Sequence, residues 1–163
     1  MSKINIDENE AIRQKLIGAL LRTSKVLVAI ATKSLAETSN EVTLAQYRSM
    51  VVLSECGSAT VVKLSDAVGV TPPTATRMCD RLLKKGLISR EVSKDDRREM
   101  NLQLTDQGKE LIDRVTEGRR AAMNELLAKL PASDYEDLAE VFSRFADSIG
   151  NAPEQDWTTG WKV

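Results

Sequence analysis

Two segments of this chain carry side chains suited to contacting phosphates and the edges of bases. The first, residues 71–77, combines three threonines with an arginine, and the second, residues 94–99, reads Lys-Asp-Asp-Arg-Arg-Glu. Cations neutralise phosphates, and small hydroxyls reach both phosphates and base edges. A run of charges is usually solvated surface. Its position between two apolar runs, close after the hydroxyl-rich segment, favours contact with DNA instead.

The composition excludes several kinds of active site. The 163 residues include no histidine, which rules out Ser–His and Cys–His nucleophile pairs and any His-ligated metal. Two cysteines, Cys56 and Cys79, are too few for a disulfide framework. Cys79 falls on the apolar face of its predicted helix and is expected in the core, whereas Cys56 is expected to be more exposed. No clustered carboxylates suggest an acid–base pair, so we predict no enzymatic activity, no metal and no cofactor.

The charged segment 94–99 separates two apolar runs, residues 87–92 and 100–104. The second run alternates apolar and polar residues with period two, which is typical of a half-buried strand. Together they predict a β-hairpin with charge at its tip.

Immediately upstream, the pattern predicts a helix-turn-helix. A short helix ends at Gly69, and a second helix begins with Thr71 as its N-cap and Pro72 at its first position. Helical spacing predicts a buried face made of Ala75, Met78, Cys79 and Leu82, opposite a polar face made of Thr74, Arg77, Arg81 and Lys84. If Asp80 formed an ion pair with Lys84 at i+4, this polar face would be ordinary helix surface. Of the three cations on the face, Arg77 is the best candidate for DNA contact. The predicted fold is mainly α with a small β-hairpin wing, a winged helix-turn-helix.

Charge and apolar pattern divide the chain into regions. Residues 63–99 hold nine Lys and Arg against six Asp and Glu, a net charge of +3 within a chain whose net charge is −1. A positive lobe beside an acidic remainder suits docking of one face on phosphates. We predict an N-terminal dimerisation helix (1–42), a winged lobe (43–105), C-terminal dimerisation helices (106–150) and a tail (151–163).

The terminal helices carry apolar stripes larger than the winged lobe can cover. We therefore expect them to form the stem of a twofold dimer, which places two reading helices about 34 Å apart, one turn of B-DNA. Trp157 and Trp161 in the tail are expected to anchor it on the body or on the partner subunit. The absence of a signal peptide's apolar stretch and of a membrane-length apolar run leads us to expect a cytoplasmic protein.

Three motifs, in this order, resemble those of one family. Residues 43–47 are like the start of its second helix, residues 70–88 are similar to its reading helix, and residues 96–108 resemble its wing-and-helix signature. That signature is an acid, any residue, an arginine, an alternating strand, then Leu-Thr and a glycine. The family is that of the MarR-type bacterial transcription regulators. The resemblance implies a homodimer that binds a pseudo-palindromic operator in double-stranded DNA, usually as a repressor, and a small-molecule pocket between the dimer helices and the winged lobe.

The resemblance also implies roles for individual residues. Asp96 would orient Arg98 through an ion pair, and Arg98 would enter the minor groove, with Arg97 beside it at the tip. The major groove would be faced by Thr71, Pro72, Thr74, Thr76 and Arg77. Pro73 stands where a small hydroxyl residue is common in the family, which suggests contact with a thymine methyl group instead of a hydrogen bond.

Two further expectations concern regulation and an alternative function. Tyr47 and Met50 lie one turn apart on the second helix and are candidate contacts for an apolar or aromatic effector, anionic forms included, although core packing is the ordinary role of such residues. The family's peroxide sensors use a cysteine in the first helix and its zinc sensors use histidine, and this chain has neither. The alternative is a winged-helix module that binds protein without affinity for DNA, which the arginine tip and the 71–77 face disfavour.

Overall fold

The computed structural model describes residues 2–39, 42–92 and 100–149. Its elements, in chain order, are α1 (Ser2–Thr38), α2 (Leu44–Cys56), α3 (Val61–Val68), α4 (Pro72–Lys84), β1 (Ile88–Val92), β2 (Met100–Leu104), α5 (Asp106–Leu127), a 3-10 turn (Ala132–Asp134) and α6 (Tyr135–Ile149). The predicted fold class, mainly α with a hairpin wing, is confirmed.

Local capping explains where the short helices begin and end. The Thr60 hydroxyl accepts from the backbone N–H of Lys63 and so caps α3. Gly69 then adopts a left-handed conformation with φ of 74°, and its N–H returns to the Ser65 carbonyl at 3.0 Å. The tight turn that follows places Thr71 at the N-cap of α4, as the sequence predicts.

The core lies inside the winged lobe. All four predicted inward positions of α4 are buried, and Leu64 of α3 and Leu102 of β2 are almost completely enclosed with them. The two strands pair antiparallel, from Ile88 opposite Leu104 to Val92 opposite Met100. Ala59 adds a single bridge to Leu102, with N···O distances of 3.1 and 2.8 Å, which joins the start of the lobe to the hairpin.

The stem consists of α1 packed against α5, with α6 following. Helix α1 begins at Ser2, and its 37 residues span about 55 Å. Many apolar side chains of the stem remain exposed, including Ile12, Leu16, Leu21 and Val28 on α1 and Val141, Phe142 and Phe145 on α6. Of the described residues, no helix is both long and apolar enough to cross a membrane. Trp157 and Trp161 lie outside the described residues.

A compact junction joins the start of α5 to the start of the hairpin. The Thr105 hydroxyl donates to the Gly86 carbonyl at 2.6 Å and accepts from the Gly108 N–H at 3.1 Å, while the Thr105 N–H donates to the Leu87 carbonyl at 3.2 Å. Gly108 is required here because a Cβ atom at this position would overlap the Leu87 carbonyl oxygen. We call this set, residues 86, 87, 105 and 108, the α5 junction.

The α5 junction gives a test of the fold. Gly108→Ala should lower the free energy of unfolding by about 1–3 kcal/mol, because the added methyl group meets backbone that cannot move without displacing β1. Gly18→Ala is the matched control, since its Cβ meets only ordinary contact in α1, and it should raise stability by about 0.5–1 kcal/mol. Urea unfolding at one protein concentration measures both. Wild-type stability in the Gly108 variant would contradict the junction.

Candidate nucleic-acid interface

The outer face of α4 is fixed by burial of the opposite face. Ala75, Cys79 and Leu82 have no measurable exposure, so residues offset from them by about half a turn must face solvent. Residues 71–74, 76, 77, 81 and 84 are exposed, as the sequence predicts. The structure thus brings Thr71, Pro72, Pro73, Thr74, Thr76 and Arg77 together at the N-terminal end of one exposed surface.

The N-terminus of α4 differs from an ordinary capped helix. Thr71 makes no side-chain cap, since Pro72 and Pro73 have no N–H and the Thr74 N–H donates to the Thr71 carbonyl at 2.9 Å. The hydroxyls of Thr71 and Thr74 instead bond each other, with an oxygen–oxygen distance of 2.9 Å. The Thr76 hydroxyl donates to the Pro72 carbonyl at 2.9 Å.

Three cations follow along the same face. Arg77, Arg81 and Lys84 form no ion pair with any residue that the structure describes. The Asp80–Lys84 pair considered from sequence does not form, because the Asp80 Oδ1 accepts from Arg90 Nη2 at 2.9 Å. Asp80 therefore links α4 to β1. A contact between residues ten apart in the chain has no signature in helical spacing, so the sequence analysis missed it.

The strands of the wing lead to the predicted contacts at its tip. Asp96, Arg97 and Arg98 lie outside the described residues, so the structure does not place them. Their flanking residues are placed: Val92 and Met100 pair with each other and are both exposed. Farther from the tip, Gln103 donates to Glu91 across the hairpin at 3.1 Å.

The cysteines lie as the sequence analysis expected. Cys79 is fully enclosed beneath α4, and its burial, opposed by the nearby Arg90 charge, raises the pKa of its thiol to about 11. The thiolate is the reactive form, so Cys79 is inert near neutral pH. Cys56 is exposed at the end of α2.

The candidate effector residues occupy the core. Tyr47 is 5% exposed and Met50 is fully buried, and both pack among the other core side chains. Other side chains border open space, among them those that line a groove of about 360 Å³ between α1 and α5. We call this the stem groove; its lining includes Val26, Ile30, Lys33, Ala122, Leu126 and Lys129. Neither Tyr47 nor Met50 lines it.

These features define a winged helix-turn-helix transcription regulator. The sequence model of the MarR family matches residues 42–100. The HTH-type transcriptional repressor MdtR of Bacillus subtilis is 32% identical over 119 residues, which are 73% of this chain and 77% of that protein. The chain therefore belongs to the MarR family. Its relatives are named as transcription regulators, in agreement with the prediction that it is not an enzyme.

Solved structures share the fold. The crystal structure of RV1404 from Mycobacterium tuberculosis is 31% identical, with a TM-score of 0.77, covering 84% of this chain and 93% of that one. The F27L mutant of Staphylococcus aureus MepR, solved bound to an oligodeoxyribonucleotide, is 23% identical, with a TM-score of 0.63, covering 82% of this chain and 97% of that one.

Proposed function

We propose that this regulator binds a pseudo-palindromic operator in double-stranded DNA as a homodimer and represses transcription in the cytoplasm. The observation that carries the proposal is the outer face of α4, where Arg77, Arg81 and Lys84 are exposed and unpaired among the described residues. Cations held in this way neutralise phosphates and reach base edges. MdtR's name as a repressor and the nucleic acid bound to MepR support the same function.

In the proposed complex, the N-terminal half of α4 lies in the major groove. Its contacts come from the exposed residues Thr71, Pro72, Pro73, Thr74, Thr76 and Arg77. The wing extends to the flanking minor groove, where Asp96 orients Arg98 and Arg97 lies beside it. The Asp80–Arg90 ion pair supports this arrangement because it ties the strand that leads to the tip to the reading helix.

Salt dependence tests the proposal. Wild-type affinity for DNA from upstream of its own gene should fall log-linearly with salt, because neutralised phosphates release counterions. Arg98→Ala should weaken binding by about 1–3 kcal/mol without changing the melting temperature, since it removes one charged groove contact. Fluorescence anisotropy over a salt series measures the salt dependence and the loss of affinity.

Arg13→Ala is the matched control, because Arg13 is an exposed arginine on α1, far along the chain from the winged lobe. Its affinity should equal that of the wild type. If wild-type protein shows no salt-dependent DNA binding, the protein-interaction module becomes the better description. If Arg98→Ala binds as wild type does, the wing contact is wrong.

The homodimer is supported by the unpartnered apolar faces of the stem. Ile12, Leu16 and Leu21 on α1 are each more than half exposed, and Val141 and Phe142 on α6 are each 52% exposed. Apolar faces of this extent are typical of obligate interfaces. A twofold arrangement would cover them and set two copies of α4 about 34 Å apart.

Light scattering tests the dimer. Wild-type protein should have twice the 18.0 kDa mass of one chain, and Phe142→Asp with Phe145→Asp should abolish the dimer because two charges would enter an apolar interface. Val62→Asp is the matched control, since Val62 is 59% exposed on α3, outside the stem, and it should remain dimeric. A folded wild-type monomer would refute the interface.

We also propose that an apolar or aromatic effector, anionic forms included, releases the protein from DNA. The stem groove supports an apolar effector, since Val26, Ile30, Ala122 and Leu126 are among its lining residues. Its two lysines, Lys33 and Lys129, are matched by Glu37 and Glu125, and Lys33 pairs with Glu37 at 3.7 Å. Tyr47 and Met50 would then influence the response to the effector through the packing of α2, without contacting the effector themselves. An effector can shift the spacing of the reading helices only if it binds one spacing better.

Filling the stem groove tests the effector site. Benzoate or naphthalene should raise the operator Kd of the wild type by about 5- to 150-fold, and Ala122→Leu should abolish this response while leaving ligand-free affinity unchanged. Val62→Leu outside the groove should respond as wild type does. If peroxide releases the wild type from DNA and the double variant Cys56→Ser, Cys79→Ser no longer responds to peroxide, a thiol switch operates instead.

A further inference from the structure

We propose that α4 selects a guanine through Arg77 and a thymine one or two base steps away through methyl and ring carbons, with no Asn, Gln, Asp or Glu in its first two turns to select adenine or cytosine. This inference rests on the proposed binding to duplex DNA and names the bases that the reading helix requires. It follows from an inventory of the donors and acceptors that the exposed face of α4 offers.

The backbone at the start of α4 offers no free donor. Pro72 and Pro73 lack an N–H, and the N–H groups of Thr74 and Ala75 both donate to the Thr71 carbonyl, at 2.9 and 3.0 Å. An ordinary helix N-terminus presents several unpaired N–H groups to an anion. This one presents pyrrolidine rings in their place, so the first turn contributes apolar surface.

The hydroxyl groups are largely committed within the protein. Thr71 and Thr74 share one hydrogen bond, which leaves one hydroxyl proton between them, and Thr76 donates its proton to the Pro72 carbonyl. Because the Thr76 hydroxyl is bonded to the backbone, the methyl group of Thr76 is the part of this side chain left for contact with a base. Methyl and ring carbons contact the thymine C5-methyl group favourably.

The side chains that best select adenine or cytosine are missing from this face. Adenine is read bidentately by Asn or Gln, and cytosine by Asp or Glu, yet residues 70–79 include none of these four types. The threonine hydroxyls can reach either base and therefore do not distinguish the two. Asp80, the next acid along α4, is half-buried and accepts from Arg90. The Oδ1 oxygen of Asp80 is therefore directed to β1.

Arg77 supplies the only multiple donor in the first two turns of α4. Its guanidinium is exposed, has no partner among the described residues and offers a planar fork that matches the O6 and N7 atoms of guanine. Along the helix axis Arg77 lies about 6 Å from Pro73. Because base steps are about 3.4 Å apart, the thymine that meets Pro73 lies one or two steps from the guanine.

The experiment begins with selection of binding sites by the full-length protein from a random duplex pool. Each half-site should contain a guanine with a thymine one or two positions away. In the selected duplex, replacing that guanine by 7-deazaguanine, which lacks the N7 acceptor, should raise Kd about 5-fold or more. Replacing the thymine by uracil, which lacks the methyl group, should raise Kd about 4-fold.

Two variants identify the residue responsible. Arg77→Ala should bind the guanine and 7-deazaguanine duplexes equally, because the group that senses N7 is gone. Arg81→Ala is the matched control, an exposed arginine one turn farther along α4, and it should keep the full difference between the two duplexes. Melting temperatures of both variants check that each is folded.

The outcomes separate this inference from the function on which it rests. If no sequence is enriched, sequence-specific DNA binding itself is wrong, and the inference fails with it. If a sequence is enriched but wild-type protein tolerates 7-deazaguanine and uracil, DNA binding stands and the base assignment is overturned. If Arg77→Ala weakens binding to all duplexes equally and keeps the difference in Kd between guanine and 7-deazaguanine, Arg77 contacts a phosphate. The assignment to guanine is then likewise overturned.

Discussion

The burial of one face of α4 is the interaction on which the rest of the interface depends. Ala75, Cys79 and Leu82 are fully enclosed, and burying a side chain the size of leucine contributes roughly 1.5–3 kcal/mol. Because these residues recur at helical spacing, their burial decides the direction of every other side chain on α4. The cations of the reading face point to solvent as a consequence of apolar packing behind them.

Polar contacts refine this arrangement. The Asp80 and Arg90 side chains are 49% and 38% exposed, and a pair so accessible to water is worth at most about 1 kcal/mol. Such a pair is too weak to hold the lobe together, but it is sufficient to favour one angle between the hairpin and α4. In the proposed complex, affinity for the DNA backbone and choice of base would therefore have different physical origins. Cations would supply the first, and the donor-poor first turn of α4 would shape the second.

Sequence reasoning succeeded where the determining interactions are local. The inward face of α4, the position of Thr71 at the start of that helix and the two strands of the hairpin all follow from spacing within a few residues. It did not find contacts between distant segments, such as Asp80 with Arg90 or the stem groove between α1 and α5. Tyr47 shows a related limit, since periodicity identifies an apolar residue without saying whether it faces the core or a ligand. The wing residues 96–98 remain a prediction from the family resemblance.

The α5 junction has a mechanical consequence for the intact regulator. Thr105 and Gly108 hold the first turn of α5 directly against Gly86 and Leu87, which join α4 to β1. Because these backbones are in direct contact, we expect a tilt of α5 to move α4 and the hairpin with it. A helix of 22 residues, about 33 Å long, is a long lever for such a movement. In the proposed dimer, a tilt of a few degrees in the stem would move the DNA-facing end of each winged lobe by ångströms, enough to change the spacing that two half-sites require.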